Sequence, residues 1–175
     1  MTRLEICFLK RDEGDSSVQS TLDAWKERMW GEPRSDGIQW STPDWHTLLP
    51  SRSEYVSRAG IVIRSIDVGH RSLAVAGICE VATKSEHRGS GLASQVLRHA
   101  AGFIRDELAL PFGLLLCEEE MIPFFERFGW QWIDESPVCA LPDVEGELSQ
   151  LRCMVLECTD AAWPAGPIHL RGLPC

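Results

Sequence analysis

The chain has 175 residues, 44% of them hydrophobic, with a formal net charge of −9 and a sequence pI near 5.0. That is enough chain for one domain with its own buried core, unaided by metal or disulfide, and too apolar a composition for intrinsic disorder. The acidity argues against nucleic acid or an anionic membrane as a partner and is compatible with a cationic small molecule.

From the N-terminus, the run from 4 to 9 alternates as an edge strand and lacks a signal-peptide pattern, which places the protein in the cytoplasm. Asp15 or Ser16 caps a helix over about 17–30, with Leu22, Trp25, Met29 and Trp30 on one face and Gly31 ending it. Residues 31–37 form a loop. Ser41, Thr42, Pro43 and Asp44 look like a second, short helix start, stopped at Pro50. Residues 54–67 read as strand, in two pieces meeting at Gly60, and pair as a hairpin with a strand over 72–83. Leu92, Val96, Leu97, Ala100, Phe103, Ile104 and Leu108 recur at helical spacing, and that helix ends before Pro111. Phe112 to Cys117 is continuously apolar, a strand buried on both faces. A short helix over 121–128, a strand over 130–133, a polar loop over 136–149 and a last strand over 151–158 follow. The tail from 161 carries Pro164, Pro167 and Pro174 and is extended. The order predicts an α/β fold, a mixed sheet with helices on its faces.

Cysteine and histidine carry little signal. Seven cysteines, an odd number, include no C-x-x-C pair and sit mostly in apolar runs, so buried free thiols are expected. The five histidines show no ligand spacing, and no metal is predicted.

The most informative stretch is Glu86 to Ala93, between a strand and a periodic helix. A glycine turn there gathers unpaired backbone N–H groups and the positive end of the helix dipole at one point, a seat for a phosphate or diphosphate. Gly89 and Gly91 present no side chain to block a bulky anion, and Arg88 adds a positive charge. The dinucleotide and Walker glycine patterns are both absent.

Arg88, Gly89, Ser90, Gly91, Leu92 and Ala93 fit R/Q-x-x-G-x-G/A, which resembles the pyrophosphate loop of the GNAT family of N-acetyltransferases. About thirty residues on, the segment from Pro123 to Trp130 resembles the family's later F-Y-x-x-x-G-F motif. The likeness spans about 72–133 and implies the GNAT fold: a single domain over 1–175, with acceptor-side helices in 1–58, an acetyl-CoA-binding core in 72–133 and an extended tail over 159–175.

The resemblance implies acetyl-CoA as acetyl donor. The amides of Arg88, Gly89, Ser90, Gly91, Leu92 and Ala93 would bind pyrophosphate, and Phe125 would border the cofactor. Val81 would hold the thioester oxygen by its backbone N–H, and Val81 and Thr83 would pair with the pantetheine arm. Glu80, next to that seat and pointing opposite to Val81, is the candidate base, or else a charged residue on a solvated sheet face. The family's usual tyrosine acid is replaced by Phe125. Cys117, Ser90 or a water could serve in its place, and Tyr55, the only tyrosine, lies far away in sequence.

Trp25, Trp30, Trp40 and Trp45, interleaved with acids, suit a cationic, ring-bearing acceptor, although Trp25 on a helix face reads better as core. Asp36 and the run from Asp44 to Leu48 resemble the D…D-W-x-H-T-L segment of the aminoglycoside 2'-N-acetyltransferases, and Trp163 to Gly166 resembles their W-x-A-G tail. That likeness implies an acceptor site of Asp36, Trp40, Asp44, Trp45, Glu80 and Cys117, an antibiotic-resistance role and, with few acids and many tryptophans, an aminoglycoside of the kasugamycin type. A homodimer is expected by family analogy alone. Two alternatives stand: acetylation of another small amine or a protein N-terminus, and a non-catalytic acyl-CoA sensor.

Overall fold

The structure, a computed structural model, describes residues 5–30, 40–135, 137–139, 148 and 150–175. Asp36 lies outside them.

A mixed sheet is the frame. Strand β1 (Cys7–Lys10) pairs antiparallel with β2 (Trp45–Ser51), which pairs with β3 (Glu54–Val68), which pairs with β4 (Arg71–Thr83). Helix α1 (Ser16–Trp30) connects β1 toward β2, and helix α2 (Leu92–Asp106) carries the chain from β4 to the parallel strand β5 (Phe112–Cys117). A short helix α3 (Ile122–Glu126) leads to β6 (Gln131–Ile133). Two-residue β7 (Val138–Cys139), β8 (Arg152–Glu157) and β9 (Ile168–Leu170) complete the sheet, in the order β1-β2-β3-β4-β5-β8-β6. The tail strand β9 pairs with the end of β3 at Ile66 to Val68, beyond the reach of β2, and with β7.

Alternation along the strands divides the core. On one face Ile61, Ala76, Ile78 and Leu115 pack under Leu97, Ala100 and Ile104 of α2 and against Phe125 and Trp130. On the other face Val62, Val75 and Leu114 pack with the tail residues Ile168, Leu170 and Cys175 and with Trp40 and Trp163. Leu22 and Trp25 of α1 cover Leu48 and Ala82 on that side. Of the tryptophan-rich N-terminal third, Trp25 is therefore core.

The helix expected over 41–50 is instead strand β2. Its local S-T-P-D signal is outweighed by tertiary pairing: Thr47 and Leu48 lie between β1 and β3, Leu49 continues along β3, and all three are fully buried. The two pieces expected to meet at Gly60 are one continuous β3, with a register shift there.

Candidate functional site

The register shift makes the site. Arg58 pairs with Ala82 and Gly60 with Cys79, so Glu80 and Val81 of β4 together oppose Ala59. This is a β-bulge, with Glu80 in a left-handed conformation at φ 50. β4 accompanies β5 only from Ala76 to Ile78, whereas β5 stays with β8 through Cys117. From the bulge to Thr83, that edge of β4 has no strand beside it among the described residues.

A cleft of about 290 Å³ opens where β4 and β5 part. Ile78, Val81, Leu115 and Phe125 border it from the α2 and α3 side. Lys26 of α1, Trp40, Cys79 and Cys175 border it from the other, so it passes between the two faces of the sheet. Cys117 and Glu118 complete one wall.

Glu80 is held from two sides. The fully buried Arg58 donates from Nη2 to Glu80 Oε2 and from Nη1 to the Leu22 carbonyl at 2.8 Å, tying the bulge to α1. Lys26 Nζ lies 2.9 Å from Glu80 Oε1. Burial pushes the Arg58 guanidinium below its ordinary value, and Glu80 beside it works in the opposite direction. Glu80 is thus no solvated face residue: its side chain is 10% exposed and turned toward α1, while Val81 packs toward α2. The Cys117 thiol is pushed up to about 11 by burial and by neighbouring Glu118, so it is protonated at neutral pH.

At the far end of the open β4 edge, Ser85 to His87 form one helical turn, and the loop then enters α2. Gly89 and Gly91 have φ of 76° and 77°, and a Cβ on either would meet nothing within 4 Å. Both glycines are needed for the backbone and leave free space above it. Gly91 is the N-cap of α2 and supplies no side-chain cap, so the first-turn amides, Leu92 and Ala93 among them, lack intrahelical acceptors. Ser90 Oγ donates to the His87 carbonyl, and Arg88 Nε donates to the Thr83 carbonyl at 3.3 Å, fixing the loop on the end of β4. A neighbouring cavity collects Arg28, Lys84 and Arg88 beside Trp25 and Tyr55.

A model of the acetyltransferase (GNAT) domain matches residues 11–133. The chain belongs to the GNAT family of acetyltransferases. No curated protein matches it by sequence. The fold is similar to Escherichia coli YhbS, solved as a CoA complex (16% identity, TM-score 0.65, covering 99% of this chain and 97% of that one). It is also similar to E. coli ElaA (18%, 0.64, 89% and 100%) and to an acyl-CoA N-acyltransferase from Pseudomonas aeruginosa (16%, 0.61, 88% and 99%).

This GNAT protein is an N-acetyltransferase that uses acetyl-CoA as its donor. The residues present fit that donor on two observations: the open space over Gly89 and Gly91 at the α2 N-terminus, and the unaccompanied β4 edge that leads from there to the cleft. Among the described residues no helix is long and apolar enough to cross a membrane.

The other residues singled out in the sequence divide. Trp40, Glu80, Val81, Cys117 and Phe125 meet at the cleft. Trp45 does not: its ring lies 5.0 Å from Phe103 of α2, on the opposite side of the sheet from Lys26. Asp44 immediately precedes β2 and accepts a hydrogen bond from the Ile63 amide at 2.8 Å, a structural role away from the lining. Trp163 sits edge-on to Phe112, 5.1 Å between centroids, also away from the cleft. Sequence reasoning missed Lys26, Arg58, Ser41 and Cys175. Arg58 alone carried a signal, as a single charge within the apolar run from Val56 to Ile63. The group Glu54, Glu86 and His87 brings potential metal-ligand atoms within 4.8 Å of one another, but at the surface.

Proposed function

We propose that the protein acetylates the amine of a small cationic molecule, seated at Glu80 on the α1 side of the cleft, with acetyl-CoA entering from the α2 side. The observation that supports this reading most is the anchored carboxylate. Arg58 fixes one oxygen of Glu80, leaving the other directed at an ammonium, the place Lys26 now takes. Around it the lining is mainly apolar, with Trp40 offering an indole face for a ring or a cation.

In this reading the α2 loop from Arg88 to Ala93 binds the pyrophosphate by its amides, and the β4 edge at Val81 and Thr83 pairs with the pantetheine arm. Bound there, acetyl-CoA supplies an activated thioester. The Val81 N–H is the donor for its carbonyl oxygen as negative charge develops. Glu80 holds the acceptor nitrogen and takes its proton directly or through water. Phe125 supplies bulk and no proton, and the neutral Cys117 thiol on that wall is the proton source in this reading.

An aminoglycoside acceptor, and with it a resistance role, is a narrower form of the same proposal. Trp40 and Glu80 support it. Asp44 and Trp45 do not contribute from their positions, so one amine with an apolar body suits the described lining better than a polycation. The test is thiol release from acetyl-CoA with a panel of monoamines, polyamines, peptide N-termini and aminoglycosides, kasugamycin included. Turnover confined to aminoglycosides selects the narrower form. Binding of acetyl-CoA with no turnover on any amine refutes the acceptor reading and leaves an acyl-CoA sensor.

A further inference from the structure

The Lys26–Glu80 pair is itself an amine on a carboxylate inside the acetyl-transfer cleft. We propose that Lys26 is a site of self-acetylation, in which the protein transfers an acetyl group from its own acetyl-CoA to Lys26 Nζ; this rests on the placement of the thioester at Val81 proposed above.

Three features carry it. Lys26 Nζ is 2.9 Å from Glu80 Oε1, the contact an acceptor ammonium is expected to make. Lys26 borders the same cleft as Val81, Cys117 and Phe125. Its side chain is 40% exposed, on a stem of four flexible carbons, so the nitrogen can leave the carboxylate and swing along the cleft. Arg58, by contrast, is locked and fully buried, and its guanidinium stays charged.

The step balances without a further reactant. The Lys26 ammonium gives a proton to Glu80, and the freed nitrogen forms a bond to the acetyl carbonyl carbon. The carbon–sulfur bond then breaks and CoA leaves as a thiolate. One proton returns to the thiolate sulfur, and one from the new amide nitrogen goes to solvent. The products are N-acetyl-lysine and CoA thiol. The modified side chain can no longer ion-pair with Glu80, so acetylation removes the internal competitor for a cationic acceptor.

The chain contains only two other lysines, Lys10 and Lys84, which serve as internal controls. Lys84 pairs with exposed Glu54, and Lys10 lies over the Trp45 ring, both outside the cleft. The purified full-length protein is incubated with acetyl-CoA and no acceptor, and acetylation at each lysine is followed by peptide mass spectrometry. Lys26 is expected to be acetylated at least roughly tenfold faster than Lys10 or Lys84, a threshold below the roughly 10²–10⁴-fold that a positioned general base contributes. The rate constant should not change with protein concentration, as an intramolecular step requires. Gly91→Glu, which blocks the cofactor loop, should abolish the difference, and Lys26→Arg should remove the acetyl gain at this position while preserving the charge.

Equal rates at the three lysines, in protein whose melting temperature acetyl-CoA raises, overturn self-acetylation and leave the cofactor reading intact. Absence of any acetyl-CoA binding overturns both. A rate constant that rises with protein concentration refutes the transfer within one molecule.

Discussion

Gly91→Glu is the substitution that separates backbone strain from ligand loss. At φ 77 a side chain costs roughly 1–2 kcal/mol, and a carboxylate at the start of α2 returns about 0.3–1 kcal/mol through the helix dipole. The unliganded protein should therefore lose about 1 kcal/mol, or roughly 2–4 °C in Tm for a chain of this size. No protein atom within 4 Å resists the new Cβ. Acetyl-CoA at a hundredfold excess over Kd should stabilise the wild type by about 2.7 kcal/mol, roughly 5–11 °C. In the variant this increment should vanish, because the carboxylate fills the anion seat and repels the phosphates. Gly172→Ala is the matched control: φ is 110 there, space is also open, and the position lies in the tail. It should cost on the order of 1–3 kcal/mol of unliganded stability while keeping the full ligand increment. Thermal melts with and without acetyl-CoA, backed by titration calorimetry, read both quantities. Wild-type affinity in Gly91→Glu would refute the assignment of the loop.

Glu80→Gln should raise KM for a cationic acceptor roughly ten- to a hundredfold with little change for acetyl-CoA, and should cost about 1.5–3 kcal/mol of stability by leaving Arg58 a neutral partner; an unchanged acceptor KM in steady-state kinetics counts against the anchor. Phe125→Tyr should leave kcat unchanged or raise it modestly, since a thiol leaves well without help; a loss of kcat with intact folding would show that the ring's bare edge matters. If Cys117 donates the proton, kcat should fall along a basic limb near pH 11, and Cys117→Ala should remove that limb. His46 is held neutral down to about pH 4 by burial and by the charge of Arg58, against about 6.5 unfolded, so the unfolded chain binds the extra proton first. Stability from this group is full above pH 6.5 and declines as pH falls toward 4, by about 3 kcal/mol in all. Urea denaturation across that window should show the slope in the wild type and not in His46→Leu.

Much of the frame was legible where one local signal and the tertiary outcome agree. The spacing from Leu92 to Ile104 gave α2, the continuous apolar run gave β5, and the glycines at 89 and 91 marked a turn whose positive φ values the structure contains. Residues 41–50 misled because S-T-P-D is a strong local cap, whereas β2 owes its state to two partners that no short window contains. The bulge at Glu80 was hidden for the same reason: its evidence is a register, set jointly by β3 and β4. The tail read as irregular, and its strand β9 forms on partners distant in sequence, the end of β3 that outruns β2 and the two residues of β7. Of the cleft lining, Trp40 and Glu80 had been singled out by residue type, while Lys26, and Arg58 behind Glu80, required knowing that α1 crosses the bulge.

The tail has a bearing on how the molecule assembles. Ser41 donates to the Leu173 carbonyl at 3.0 Å across 132 positions of sequence, and Cys175 packs so closely on Gly77 that a Cβ there would stand 2.3 Å from its sulfur. Contacts of such sequence separation close large loops and form late along a folding route. During synthesis, the hairpin of β3 and β4, helix α2 and the glycine loop can all be made while the wall near Trp40 still awaits its last residues. A chain arrested before Leu173 to Cys175 would then hold the glycine turn at the start of α2 while the cleft stands open on its Trp40 side, so closure of that wall is among the last events of folding.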